Sequence, residues 1–241
     1  MTSRFFRREI GWEAYREAVG LAPPMTPSGE PFGAPPAQYN IAPGAHAPVL
    51  RLSAPGLYLG DYAPRGRAIV QPAFWGLIPT WWTGGPGERP FSSFSARAET
   101  LETSRAFQGP LRHGRCLVPA SGFYAWSGPK GAATPFAFGL RDFDWFCFAG
   151  LWTRVMIDGS ELDTFAIVTC APNDAVASFS SSMPVILHPD HFRRWLDPMN
   201  RDPQGLLRPY PADEMRCWPA HPRVGDVRNQ GAEMIGDPDA G

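Results

Sequence analysis

A threonine directly after the initiator methionine becomes the first residue of the chain once that methionine is removed, and the small Thr2 permits the removal. Its α-amine, with a pKa of ~7.7–8.0, is then substantially neutral at cellular pH and is a usable nucleophile, whereas its hydroxyl stays unreactive unless a base activates it. An ordinary second residue with no role is the other reading of Thr2. A second feature is the pair Trp81-Trp82, set between Pro79-Thr80 and the loop-forming Thr83-Gly84-Gly85-Pro86-Gly87. Neighbours in a strand point to opposite faces, so at least one indole is expected to be exposed or to line a groove. Exposed aromatics beside arginines form the usual platform for stacking single-stranded bases. The alternative is one tryptophan in the core and one packed under a loop.

Other chemistries find no support. His188 and His191 lie three apart with only Asp190 as a nearby carboxylate, which reads as a solvated helix start and not as a metal site. His113 stands beside Arg112 and Arg115, where a loop contact and a phosphate contact are equally open. No Gly-rich phosphate loop, G-x-S-x-G elbow or zinc-deaminase signature occurs. Cys116, Cys147, Cys170 and Cys217 are far apart and without a C-x-x-C pair, so they are expected to be free, mostly buried thiols in a reducing compartment. No metal or organic cofactor is implied.

The elements that position these residues follow from pattern and composition. The 241 residues suit one domain over 1–241, and an apolar share of 44% can build its core. No apolar run reaches the roughly 18 residues that span a bilayer, and a cytoplasmic location is expected. A net charge of −1 gives no bulk attraction to nucleic acid, so DNA binding would need a local patch. Lys130 is the only lysine. Base composition of the genome is one reading of that bias, and the use of arginine as the better phosphate clamp is the other.

Residues 9–20 have helical periodicity, and 22–38, rich in Pro and Gly, form an irregular loop. Short apolar or alternating runs at 47–52, 56–60, 68–76, 115–119, 121–126, 135–140, 145–152 and 164–170 read as strands. Helical signals occur at 98–107, at 190–196 and, more weakly, at 203–217. The fold class is α+β, with a mainly antiparallel, barrel-like sheet flanked by several helices.

Several segments in a fixed order resemble the SRAP family, the SOS-response-associated peptidases or abasic-site processing proteins. They are Met1-Thr2-Ser3-Arg4-Phe5, Tyr39-Asn40-Ile41-Ala42-Pro43-Gly44, Trp75-Gly76-Leu77-Ile78-Pro79, Ser95-Ala96-Arg97-Ala98-Glu99-Thr100, Pro119-Ala120-Ser121-Gly122-Phe123-Tyr124-Ala125-Trp126, Met183-Pro184-Val185-Ile186-Leu187 and Val224-Gly225-Asp226-Val227-Arg228-Asn229-Gln230-Gly231. Family chains start Met-Cys-Gly-Arg-Phe. The resemblance implies that the mature N-terminal cysteine captures the aldehyde of an abasic site in single-stranded DNA as an imine, which its thiolate closes to a thiazolidine. An asparagine, a glutamate and a histidine assist, the last two in acid-base roles. The same cysteine is proposed to free itself from a short leader, hence the peptidase name.

Carried over by position, the cysteine is Thr2, the asparagine Ser95, the glutamate Ala125, the histidine Ser180 and a phosphate-binding arginine Ser182. What is retained looks like a binding surface: Arg4 and Arg97 as phosphate contacts, Trp81 and Trp82 as stacking aromatics, and Thr169 beside the pocket. The expected function is binding of single-stranded or junction DNA, with or without abasic sites, by a monomer that has lost cross-linking and self-cleavage. Two alternatives stand beside it. One is a weak abasic-site lyase that forms an imine through the Thr2 amine, with Ser95 and Ser180 holding a water. The other is a protein that has left DNA and offers its hydroxyl-lined pocket to a small ligand or a protein partner.

Overall fold

The computed structural model describes residues 3–21, 33–52, 68–83, 93–129, 131–200 and 202–239. In chain order the elements are β1 (Phe5–Arg7), α1 (Trp12–Val19), β2 (Gln38–Ile41), β3 (His46–Leu52), β4 (Ala68–Trp75), β5 (Ser95–Arg97), α2 (Gln108–His113), β6 (Arg115–Ala120), β7 (Gly122–Ser127), β8 (Thr134–Leu140), β9 (Phe146–Ile157), β10 (Ser160–Cys170), β11 (Met183–Pro184), β12 (Ile186–Leu187), α3 (Phe192–Leu196) and β13 (Met215–Pro219). The strand expected at 56–60 lies outside the described residues.

Asp158 and Gly159 both take positive φ, 50° and 78°. That is the geometry of a two-residue type I′ turn, which matches the twist of the strands it joins. The resulting β9–β10 hairpin pairs Ser160 with Ile157 and runs to Ile167 opposite Gly150. Around it β10, β4, β3, β6 and β9 pair in a closed ring. This is the barrel expected from the sequence, with one parallel contact, Thr164–Phe74 and Phe165–Trp75, between β10 and β4. Beyond Ile167 the hairpin strands separate, and the segment 183–187 enters between them. There β11 pairs with β10 and β12 with β9. Val185 bonds both ways, its N–H to the Val168 carbonyl and its carbonyl to the Ala149 N–H.

A second, antiparallel sheet runs β13-β8-β7-β1-β2. Period-two alternation decides what each face buries. Phe5, Phe123 and Phe138 face the barrel and pack with Trp75 and Phe148, while Phe6, Tyr124 and Ala137 face outward. Trp218, Val224, Met234 and Ile235 from the C-terminal part of the chain cover that outer face. Each buried aromatic of this kind contributes about 1.5–3 kcal/mol of transfer free energy.

Two helical expectations are corrected. Residues 98–107 form a 3₁₀ turn at Ala98–Thr100 and then further turns, with α2 starting only at Gln108. The Thr100 carbonyl takes the N–H of both Thr103 and Ser104, and the Thr103 hydroxyl as well. Hydroxyl side chains here compete with helical pairing. Residues 203–217 contain a 3₁₀ turn at Gln204–Leu206 and the start of β13, not a helix. Pro209 and Pro211 lack the N–H a helix requires, and Met215 pairs instead with Leu140. The short strands β1, β2, β11 and β12 were not expected from pattern. No helix among the described residues is long and apolar enough to cross a membrane.

Candidate nucleic-acid interface

Two buried threonines fix the first part of the site. Thr164 on β10 accepts the Ile78 N–H at 3.1 Å, and Thr153 on β9 donates to the Ile78 carbonyl at 2.7 Å. With both backbone groups of Ile78 satisfied on the barrel, the turn Pro79–Trp82 projects from a rigid point. The Trp82 N–H closes it on the Pro79 carbonyl at 3.0 Å. The tryptophans therefore sit in a turn, not at the end of a strand, and the expected exposure of one indole is observed: Trp81 is 42% exposed. The guanidinium of Arg105 lies over its ring, 4.6 Å from the centroid. Trp82 is half-buried.

A bridge between Leu77 and Ser93 ties this turn to the strand that follows. The Ser93 hydroxyl donates to the Ser95 carbonyl at 2.7 Å, and β5 then runs parallel to β10, with Ser95 opposite Ile167 and Arg97 opposite Thr169. Thr169 also faces Pro184 of β11. The arrangement leaves a pocket of about 280 Å3 lined by Arg97, Glu99, Thr169, Cys170, Ser181 and Ser182. Three residues singled out in the sequence, Arg97, Thr169 and Ser182, thus meet around one cavity. Arg97 is exposed and its 3.6 Å ion pair with Glu99 is solvated, so the pair contributes little and leaves the guanidinium available to an anion. Burial pushes the Cys170 thiol up to about 12, with Glu99 adding to the shift. It is no nucleophile at neutral pH.

Ser180 and Ala125 flank a neighbouring aromatic contact. The Ser180 hydroxyl accepts the Ser182 N–H at 3.4 Å. Phe179, one residue earlier, packs edge-on against Phe136 and Phe138, 5.0 and 5.1 Å between centroids. Phe136 is the cross-strand partner of Ala125, which is 4% exposed. The two positions expected to hold acid-base groups are a methyl and a hydroxyl on either side of this cluster.

Thr2 lies outside the described residues. The chain just after it runs beside β7, where the Tyr124 N–H donates to the Arg4 carbonyl at 3.0 Å. Arg4 is not among the residues lining the Arg97 pocket. Its Nη1 donates to Asn40 Oδ1 and to the Val224 carbonyl, both at 3.0 Å. Burial lowers its pKa, and Asp226 works against that shift. Arg105, Asn40 and Ser181 were not picked out from sequence. The signal for Arg105 was an arginine in the polar stretch before α2, but nothing in the spacing pairs it with Trp81. Among the described residues no group of three or more His, Cys, Asp or Glu side chains could hold a metal ion. Cys116, Cys147 and Cys170 are free and buried, and Cys217 is free and exposed.

A model of the SOS response associated peptidase (SRAP) family matches residues 4–227. The abasic site processing protein YoqW of Bacillus subtilis is 36% identical over 167 residues, covering 67% of this chain and 73% of its own. The abasic site processing protein YedK of Escherichia coli is 30% identical over 210 residues, covering 86% of this chain and 85% of its own. Among solved structures, a protein from Bacteroides thetaiotaomicron superimposes with a TM-score of 0.71 at 19% identity, over 96% of this chain and 98% of its own. A phage-related protein from Bordetella bronchiseptica does so with 0.64 at 27% identity, over 91% and 94%.

Proposed function

This chain belongs to the SRAP family, and we propose that it binds single-stranded or junction DNA at abasic sites without forming the durable cross-link that a family cysteine would make. Relatives named as abasic site processing proteins support the substrate. The observation that carries the reading is the meeting of Arg97, Thr169 and Ser182 around one pocket, on a segment bridged to the turn that presents Trp81. A guanidinium with hydroxyls around it suits a phosphate, and an exposed indole under an arginine suits a base.

Loss of durable chemistry follows from residue types. An oxygen ring closed by Thr2 would need an alkoxide, which is far harder to form than a thiolate, and such rings hydrolyse readily. Ala125 and Ser180 offer no group of suitable pKa, and general acid-base help is typically worth ~10²–10⁴-fold. Self-cleavage is lost for the same reason. A transient imine at the Thr2 amine, leading to strand cleavage by β-elimination, is the competing enzymatic reading. The protein acts as a single domain over 1–241, as a monomer, in the cytoplasm.

The test is fluorescence anisotropy with a labelled single-stranded oligonucleotide carrying one abasic site, titrated at several salt concentrations. Affinity falling linearly in log–log form with salt is expected. Absence of binding even at low salt would leave only a non-DNA ligand for the pocket.

A further inference from the structure

A second and larger cleft, about 630 Å3, opens beside α2. Its lining includes Gln108, Arg112 and His113 from α2, Glu102 from the turn that precedes the helix, Asn200, and the buried Arg115. Helix C-termini carry partial negative charge and repel anions. Here Arg115 cancels that effect. Its Nε donates to the Trp195 carbonyl at 2.6 Å, its Nη1 to the Leu111 carbonyl at 2.7 Å and its Nη2 to the Asp197 carbonyl. These carbonyls lie at the ends of α2 and α3, so one guanidinium neutralises both ends and fixes their separation. Glu102 is the only carboxylate among the described residues that line the cleft. Among the described residues no such internal pairing consumes the exposed Arg112, which adds a second cation to the cleft.

The cleft is continuous in the chain with the interface already described. Segment 95–115 passes from Ser95 and Arg97 through Arg105, which covers Trp81, to Arg112 and His113. The six residues of α2 rise about 9 Å, the axial length of two to three stacked nucleotides at ~3.4 Å each. We infer that this cleft takes the phosphodiester backbone of the DNA strand that continues past the Trp81–Arg105 platform, with Arg112 as its phosphate contact. The inference rests on the DNA-binding reading above.

The test compares two labelled single-stranded oligonucleotides with one abasic site each, of about six and about twenty nucleotides, against the wild type, Arg112→Glu, Arg112→Lys and Trp81→Ala. Arg112→Glu is expected to weaken the long oligonucleotide about tenfold at low salt and to lower its salt slope by about 1. The short one should be unaffected, and Arg112→Lys should retain most of the affinity. Trp81→Ala should weaken both. An unchanged melting temperature would show that Arg112→Glu is folded. If Arg112→Glu leaves the long oligonucleotide unaffected, or weakens both lengths equally, the cleft is not the path of the strand, although the Trp81 result can still uphold DNA binding. If neither oligonucleotide binds in a salt-dependent way, the DNA-binding reading fails and takes this inference with it.

Discussion

Arg4 and Asn40 are joined by a 3.0 Å hydrogen bond from guanidinium Nη1 to carboxamide Oδ1. Asn40 is 1% exposed, and its Nδ2 donates onward to the carbonyls of Val224, Asp226 and Asn229. The Gln230 side chain returns a bond to the Asn40 carbonyl at 2.9 Å. Through this node the start of the described chain is held by residues more than 180 positions from Asn40. Two of the segments on which the resemblance rests, 39–44 and 224–231, thereby gain a physical role.

Asn40→Ala removes the acceptor for Arg4 and takes a donor from three buried or half-buried carbonyls, of which Val224 keeps Arg4, Asp226 keeps the Asn229 N–H and Asn229 is left without its side-chain partner. It is expected to cost about 2–4 kcal/mol, read as a lower urea midpoint with an unchanged m-value. A change below about 0.5 kcal/mol would show that water replaces the node without loss.

Arg4→Gln separates anchoring from phosphate contact. The 3.0 Å bonds to Asn40 and Val224 predict lower stability. The proposed DNA role predicts a salt slope lower by about 1. Loss of stability at an unchanged slope would assign Arg4 to anchoring alone.

Trp81→Ala should weaken binding of single-stranded DNA by ~1–3 kcal/mol, the value of one stacked base. Arg105→Ala, which removes the cation 4.6 Å above the ring, should weaken it less and leave the melting temperature unchanged. Equal affinity for wild type and Trp81→Ala would remove the platform from the account.

Much of this was legible beforehand, and the limits have physical causes. The barrel-like sheet could be read from short apolar or alternating runs between turn residues, but the runs at 145–152 and 164–170 stop short of β9 and β10, and the Asp158-Gly159 turn that joins the two strands was not read. The exposure of one of the paired indoles was expected from strand alternation and is observed, although the pair sits in a turn where that alternation does not apply. Phe5–Arg7 could not be read as a strand, because Arg7 is fully buried and its Nη1 and Nη2 donate to the carbonyls of Pro35 and Pro36, an arrangement made only in three dimensions. β5 and β11 are three and two residues long, too short for periodicity, yet they bring Arg97 and Ser182 to Thr169. The Arg105–Trp81 contact spans 24 positions and left no local trace.

The thiols give a prediction on pH. Burial raises Cys116 and Cys147 above the ordinary thiol range and Cys170 to about 12. Thiols raised in the folded state contribute stability that is present below the unfolded pKa of about 8.5 and is lost as pH rises through it toward the folded values. Stability should therefore decline above about pH 8.5. At pH 8, iodoacetamide should label the native protein slowly and only at Cys217, and label all four cysteines in urea. Rapid native labelling at Cys170 would contradict the protonated, buried state beside Arg97.

Gly122 is fixed by space. A Cβ there would overlap the Phe6 ring and the Phe138 carbonyl. Gly122→Ala is expected to cost about 3 kcal/mol or more by forcing β1 and β8 apart, read as a fall in melting temperature. An unchanged melting temperature would mean that this sheet yields more easily than its packing indicates.

The central claim, binding of abasic DNA without a durable covalent bond, is tested most directly by intact mass. Purified protein would be measured before and after incubation with a single-stranded oligonucleotide carrying an abasic site, with and without borohydride. The account predicts the unaltered protein mass in both cases, together with salt-sensitive binding of the same oligonucleotide. An adduct seen only with borohydride would replace it with the imine-forming lyase, and an adduct that survives without reductant would contradict it outright by showing that the N-terminal residue forms a stable cross-link.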